Sequence, residues 1–168
     1  MKNTHPSTQV RSLMLWPDPL LSKPTTQWNF SDPPMDYQQL EKELTDTLQH
    51  HGAVGLAANQ IGYDFRVFAQ HCHSDDLVRI LYNPEILYLD SEQQSGPEGC
   101  LSFPKTKLSI PRPKTLTARW QNHRGEVRSQ DFTDIDARCF LHELDHLNGV
   151  TFNSLVSDLR FRRAYGKL

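Results

Sequence analysis

The chain has 168 residues, with 18 Lys+Arg against 20 Asp+Glu and 37 % hydrophobic residues. That length suits a single domain, residues 1–168, with a real core. The near balance of charge argues against a surface given over to DNA, and no apolar run approaches the roughly 18 residues of a membrane span.

Met1-Lys2-Asn3-Thr4-His5-Pro6 lacks the apolar core of a secretory signal. The cysteines, Cys72, Cys100 and Cys139, are few and odd in number. That points to a reducing compartment, the cytoplasm, rather than to a disulfide framework. Trp16-Pro17-Asp18-Pro19-Leu20-Leu21 reads as a turn with an apolar anchor. From Asp36 to His51, Tyr37, Leu40, Leu44 and Leu48 recur at helical spacing, and Gly52 ends the run. Gly52 to Gly62 is rich in small apolar residues and lacks lysine, so it reads as a tight, buried turn rather than a phosphate cradle. Gln60 is its one versatile hydrogen-bonding side chain. Strands are expected at Phe65–Ala69, Val78–Tyr82 and Glu85–Leu89. Leu116–Trp120 and Glu126–Phe132 flank Asn122-His123-Arg124-Gly125 as a hairpin.

A helix follows over residues 134–148, started by Thr133 or Asp134 and closed by Gly149. A short last helix spans Ser154 to Tyr165, with Leu155, Leu159 and Phe161 as expected anchors. Clustered strands with few crossover helices argue for an α+β fold, its mostly antiparallel sheets wrapped around the 134–148 helix.

That helix carries His142-Glu143-Leu144-Asp145-His146. Residues four apart share a helix face, so His142 and His146 can aim two imidazoles at one metal ion. Glu143 then stands beside them as a general base. A catalytic site of this type usually has three protein ligands. After Gly149 there is no further His or Cys and only one carboxylate, Asp158. The third ligand is therefore sought upstream, where Glu98-Gly99-Cys100-Leu101-Ser102 offers the Cys100 thiolate. Cys139 competes by proximity, although its place three residues before His142 gives a poor angle.

Taken in order, Val54-Gly55-Leu56-Ala57-Ala58-Asn59-Gln60, Glu98-Gly99-Cys100-Leu101-Ser102 and His142-Glu143-Leu144-Asp145-His146-Leu147 resemble the three motifs of the peptide deformylases. The likeness runs from about residue 12 to residue 160. Three departures stand out: Ala53 for the first loop glycine, Leu141 for a glutamine before the first histidine, and Lys107 for a common arginine.

The resemblance implies hydrolysis of the N-formyl group from formyl-methionyl nascent peptides. The implied cofactor is one Fe²⁺ held by Cys100, His142 and His146, with Zn²⁺, Ni²⁺ or Co²⁺ able to take its place. Glu143 would move the proton, while the Gln60 amide and the Leu101 backbone N–H would stabilise the oxyanion. Val54, Ile135 and Cys139 are expected to line the methionine pocket, with ordinary core packing as their alternative. Gly55 and Gly99 would let the peptide run close to the backbone as an added strand, with Lys107 near it.

The family's C-terminal segment is implied to dock on the ribosome. The plainer reading of Arg160, Arg162, Arg163 and Lys167 is a solvated charged end. The competing functions are a metal amidase with another acyl substrate and a non-catalytic structural metal protein. Structural sites usually take four ligands, which counts against the latter.

Overall fold

The computed structural model describes residues 8–165. Helix α1 covers Tyr37–His50, with Asp36 accepting the Gln38 N–H at its start. Gly52 follows its end at φ +59°, a conformation that favours glycine. The stripe Leu40, Leu44 and Leu48 is buried, as its spacing requires.

The 52–62 stretch is not only a turn. Gly55–Ala57 forms strand β1, and Ala58–Ile61 winds into one 3₁₀ turn. Strand β2 (Val67–Cys72) and strand β3 (Leu77–Leu89) follow. The expected break at Asn83-Pro84 is a register shift within one strand, with Asn83 at φ +48°. Next come β4 (Gln93–Cys100) and β5 (Phe103–Pro113), then β6 (Thr115–Gln121) and β7 (Val127–Thr133), the expected hairpin. Helix α2 spans Asp134–Leu147, and α3 spans Asp158–Tyr165 after a 3₁₀ turn at Phe152–Leu155. Thr133 occupies the N-cap position of α2, but its side chain makes no capping bond.

The strands form a five-stranded sheet in the order β1-β2-β3-β6-β7 and a separate β4–β5 ribbon. All these pairings are antiparallel. Helix α2 lies across the larger sheet, and Phe140 meets Phe68 and Phe132 at centroid distances of 5.3 and 5.0 Å. Burying so many apolar side chains along one helix makes it the centre of the fold. The α+β architecture expected from the element order is the one observed.

The ribbon has its own core of Phe103, Leu108, Ile110 and Phe152, against which Trp16, Phe161 and Tyr165 pack. Of the expected anchors near the end of the chain, only Phe161 packs inward. Leu155 and Leu159 are exposed, because α3 is anchored along its Phe161, Ala164 and Tyr165 side instead.

Candidate metal centre

Helix α2 delivers His142 and His146 from successive turns, with ring centroids 5.0 Å apart. Cys100 arrives from the last residue of β4, beyond a register shift at Gly99. Its Sγ lies 3.2 Å from His146 Nε2. One ligand atom from each of Cys100, His142 and His146 falls within 4.8 Å of the others. Cys139 is elsewhere engaged, its thiol donating to the Val54 carbonyl.

These residues fit a divalent metal. His142 Nδ1 is bound to Glu98 Oε2 at 2.9 Å, which orients the ring and leaves Nε2 as the ligating nitrogen. One thiolate and two imidazoles form a three-ligand set suited to zinc or iron, with a position left open for chemistry. Burial would lower the His142 pKa, but hydrogen bonds to Cys100 and Glu98 outweigh it and raise the pKa well above the usual value. At His146 burial prevails and lowers it.

Glu143 is buried at the same wall, and its Oε2 has no hydrogen-bond partner among the described residues. Burial pushes its carboxyl up to about 7. A group titrating there can take a proton and give it back near neutral pH. Gly55 makes room for it: a Cβ at that position would collide with Glu143 Oε1 and Cys139 Sγ.

Gln60 is held by the Ala57 N–H, which donates to its Oε1 at 2.9 Å. Its Nε2 donates to Ser102 Oγ at 3.1 Å and lies 3.5 Å from Cys100 Sγ. The side-chain amide is thereby fixed beside the ligand cluster.

A cavity of about 600 Å³ opens onto these groups. Gln60, Cys100, Leu101, His142 and Glu143 line it, and so do Val54, Gly55, Gly99, Lys107, Ile135 and Cys139. His146 is the one site residue set behind that lining, at 1 % exposure. Val54 and Ile135 are partly solvent-exposed at this wall rather than core residues.

The charged support beneath these residues is largely invisible in the sequence. Glu98 receives Arg112 as a two-pronged pair, Nε at 2.9 Å and Nη2 at 3.0 Å. Arg138 Nη1 adds a bond to Glu98 Oε1 at 2.9 Å, and Arg112 Nη1 reaches Asp145 Oδ2 at 2.6 Å. Arg138 also donates to the Ile110 and Gln94 carbonyls, tying α2 to the ribbon. Burial would raise the Glu98 pKa, but the bonds from His142 and Arg112 hold it at about 2. A carboxylate two residues before a ligand cysteine was the available signal for Glu98. Arg112 left none, since its partners lie 14 and 33 residues away.

Three potential metal-ligand atoms converging beside a buried carboxylate with one free oxygen make the arrangement that a metal-dependent hydrolase of the His-Glu-x-x-His class requires. Comparison with known proteins narrows the class. Residues 10–162 match the family model for polypeptide deformylase. The peptide deformylase of Acidothermus cellulolyticus is 41 % identical, over 85 % of this chain and 77 % of that protein. The crystal structure of the Thermotoga maritima peptide deformylase superposes with a TM-score of 0.79 at 34 % identity, covering 88 % of this chain and 98 % of that one. A class I type b peptide deformylase from Acinetobacter baumannii, bound to Met-Ala-Ser, gives 0.82 at 25 % identity, covering 89 % and 100 %.

The chain belongs to the peptide deformylase family. It is a metalloenzyme that hydrolyses the N-formyl group from nascent peptides.

Proposed function

We propose that Cys100, His142 and His146 hold one divalent ion, Fe²⁺ in the cell, and that the whole chain serves as one catalytic unit in the cytoplasm of a bacterium, or of a bacterial host if the chain is viral. When bound, the ion supplies the Lewis acidity that activates a water and polarises the formyl carbonyl. The observation that carries the reading is the unpartnered Oε2 of Glu143 at the cavity wall beside the three potential ligand atoms.

Glu143 takes the proton of the attacking water and passes it to the peptide nitrogen as the C–N bond breaks. Water and a formylated peptide become formate and a free amine. The Gln60 amide and the Leu101 backbone N–H donate to the oxygen on which charge develops. Ala57 and Ser102 fix the Gln60 side chain beforehand, so little reorganisation is needed during the reaction.

Val54, Ile135 and Cys139 take the methionine side chain. The peptide backbone lies between β1 and β4, each paired on one side only, as a strand added past Gly55 and Gly99. Lys107 stands beside that path. The relative captured with Met-Ala-Ser supports a peptide beginning with methionine in this cavity.

The test is formate release from formyl-Met-Ala-Ser by protein loaded anaerobically with Fe²⁺, beside Zn²⁺-loaded and metal-free protein and an acetyl-Met-Ala-Ser control. Metal-dependent release from the formyl peptide alone is expected. Equal release from the acetyl peptide would point to a broader amidase.

A further inference from the structure

Beyond the catalytic cavity, a second hollow of about 450 Å³ lies between β5 and α3. Its polar wall is unusual for a chain of net charge −2. Lys105, Lys107, Arg160 and Arg163 line it, with Leu108, Ser109 and Ala164, and no carboxylate is among these residues. None of the four cations forms an ion pair among the described residues, whereas Arg79, Arg112, Arg119, Arg128 and Arg138 all do.

The local structure explains how the cations come to share one wall. Along β5, Thr106, Leu108 and Ile110 point into the ribbon's core, so Lys105, Lys107 and Ser109 face out together. The register steps from Gly99–Lys107 to Cys100–Phe103, leaving extra residues on β5. Lys105 sits in this bulge at φ +60°. Bulges of this kind re-aim a side chain. Across the hollow, Arg160, Arg163 and Ala164 share one face of α3, and Arg160 Nη2 donates to the Ser109 carbonyl at 2.9 Å, fixing α3 to β5.

Lys105 and Lys107 line both this hollow and the catalytic cavity. The two spaces therefore adjoin along a basic edge. Lys107 pairs with Gly99, the neighbour of Cys100. A peptide that leaves the ligand cluster along this edge passes these cations.

We propose that the hollow between β5 and α3 binds acidic side chains of the substrate downstream of its first residues, so that this deformylase favours formylated chains with acidic early segments. The proposal rests on the deformylase reading of the adjacent cavity. Ribosomal RNA, whose phosphates would suit the same cations, is the competing occupant. The shared edge with the catalytic cavity favours the substrate, because RNA binding would not require the groove to open there.

The experiment compares kcat/KM of the Fe²⁺-loaded full chain for formyl-Met-Ala-Ser extended by three Asp, three Asn or three Lys. The expected order is Asp over Asn over Lys. The Asp-to-Asn ratio should be about tenfold at low salt, the size two or three exposed ion pairs can produce. It should reside mainly in KM and shrink toward one near 1 M salt, where the screening length is about 3 Å. Arg163→Glu should abolish or invert the preference, and Arg160→Gln with Arg163→Gln should flatten it. Each ratio is taken within one protein preparation, so partial loss of folded enzyme does not affect it.

Equal kcat/KM for the three peptides would overturn the proposal. So would salt-dependent binding of ribosomal RNA that Arg163→Glu removes while the peptide ratios stay at one. If unextended formyl-Met-Ala-Ser is not hydrolysed either, the deformylase reading falls and this proposal falls with it.

Discussion

Helix α2 supplies His142, Glu143 and His146 from little more than one turn, while the β4–β5 ribbon supplies Cys100 from the end of a strand containing Gly96, Pro97 and Gly99. The helix places its groups by its own period, and its apolar residues pack against the large sheet. The ribbon is separate from that sheet, and charge ties it to the helix. Glu98, on β4, is gripped by Arg112 from β5 and Arg138 from α2, and it holds His142. The two halves of the proposed ligand set are thus secured differently, one by local geometry and apolar burial and the other by a buried ion network. Removing one member of such a network costs more than its pairwise attraction, because it leaves a charge stranded away from water.

The largest expected effect tests whether the helix is the seat of the chemistry. Glu143→Ala should lower kcat by about 10²–10⁴-fold, with metal content by elemental analysis unchanged. A kcat within tenfold of the parent would move the proton transfer elsewhere.

Breaking the ribbon's anchorage comes next. Arg112→Leu leaves Glu98 and Asp145 without their shared cation, and denaturant unfolding should show a loss of about 3–5 kcal/mol. A loss below about 1 kcal/mol would mean that the network is dispensable and that apolar packing of the ribbon suffices.

A subtler change keeps the ribbon in place but weakens its grip on the ligand. Glu98→Gln should reduce metal affinity by about 10–100-fold in chelator competition, as removal of an outer partner of a ligating histidine does. Unchanged affinity would show that α2 alone orients His142.

The smallest effect is expected at the exposed Leu159 of α3. Leu159→Ser should change stability by less than about 0.5 kcal/mol, measured by the same unfolding. A larger loss would give α3 a packing role on its outer face.

The same contrast explains which features were legible. Leu40, Leu44, Leu48 and Gly52 announce α1, because a 3.6-residue stripe and a closing glycine are local signals. The β6–β7 hairpin was legible from its turn residues and flanking strands. The β4–β5 ribbon carries no such signal. Prolines at 97, 104, 111 and 113 and glycines at 96 and 99 argue against strands, yet a two-stranded ribbon is all edge and tolerates them. The anchors of α3 differ from those expected because a short helix is oriented by what it docks on. Here Trp16 and Phe103 receive Phe161 and leave Leu155 and Leu159 outside.

By itself the sequence determined the family, and it singled out the α2 histidine pair, its neighbouring carboxylate and the upstream cysteine as candidates. Those depend on residue type and on spacing within a turn or a short motif, which the chain carries locally. Only the tertiary structure decided that Glu98 would be the partner of His142, that Arg112 and Arg138 would hold it, and that Lys105 and Lys107 would face Arg160 and Arg163 across a groove. Glu98 and His142 are 44 residues apart and Ser109 and Arg160 are 51 apart. Contacts over such separations follow from how sheet, ribbon and helix pack, where burial and charge compensation act on the whole chain at once.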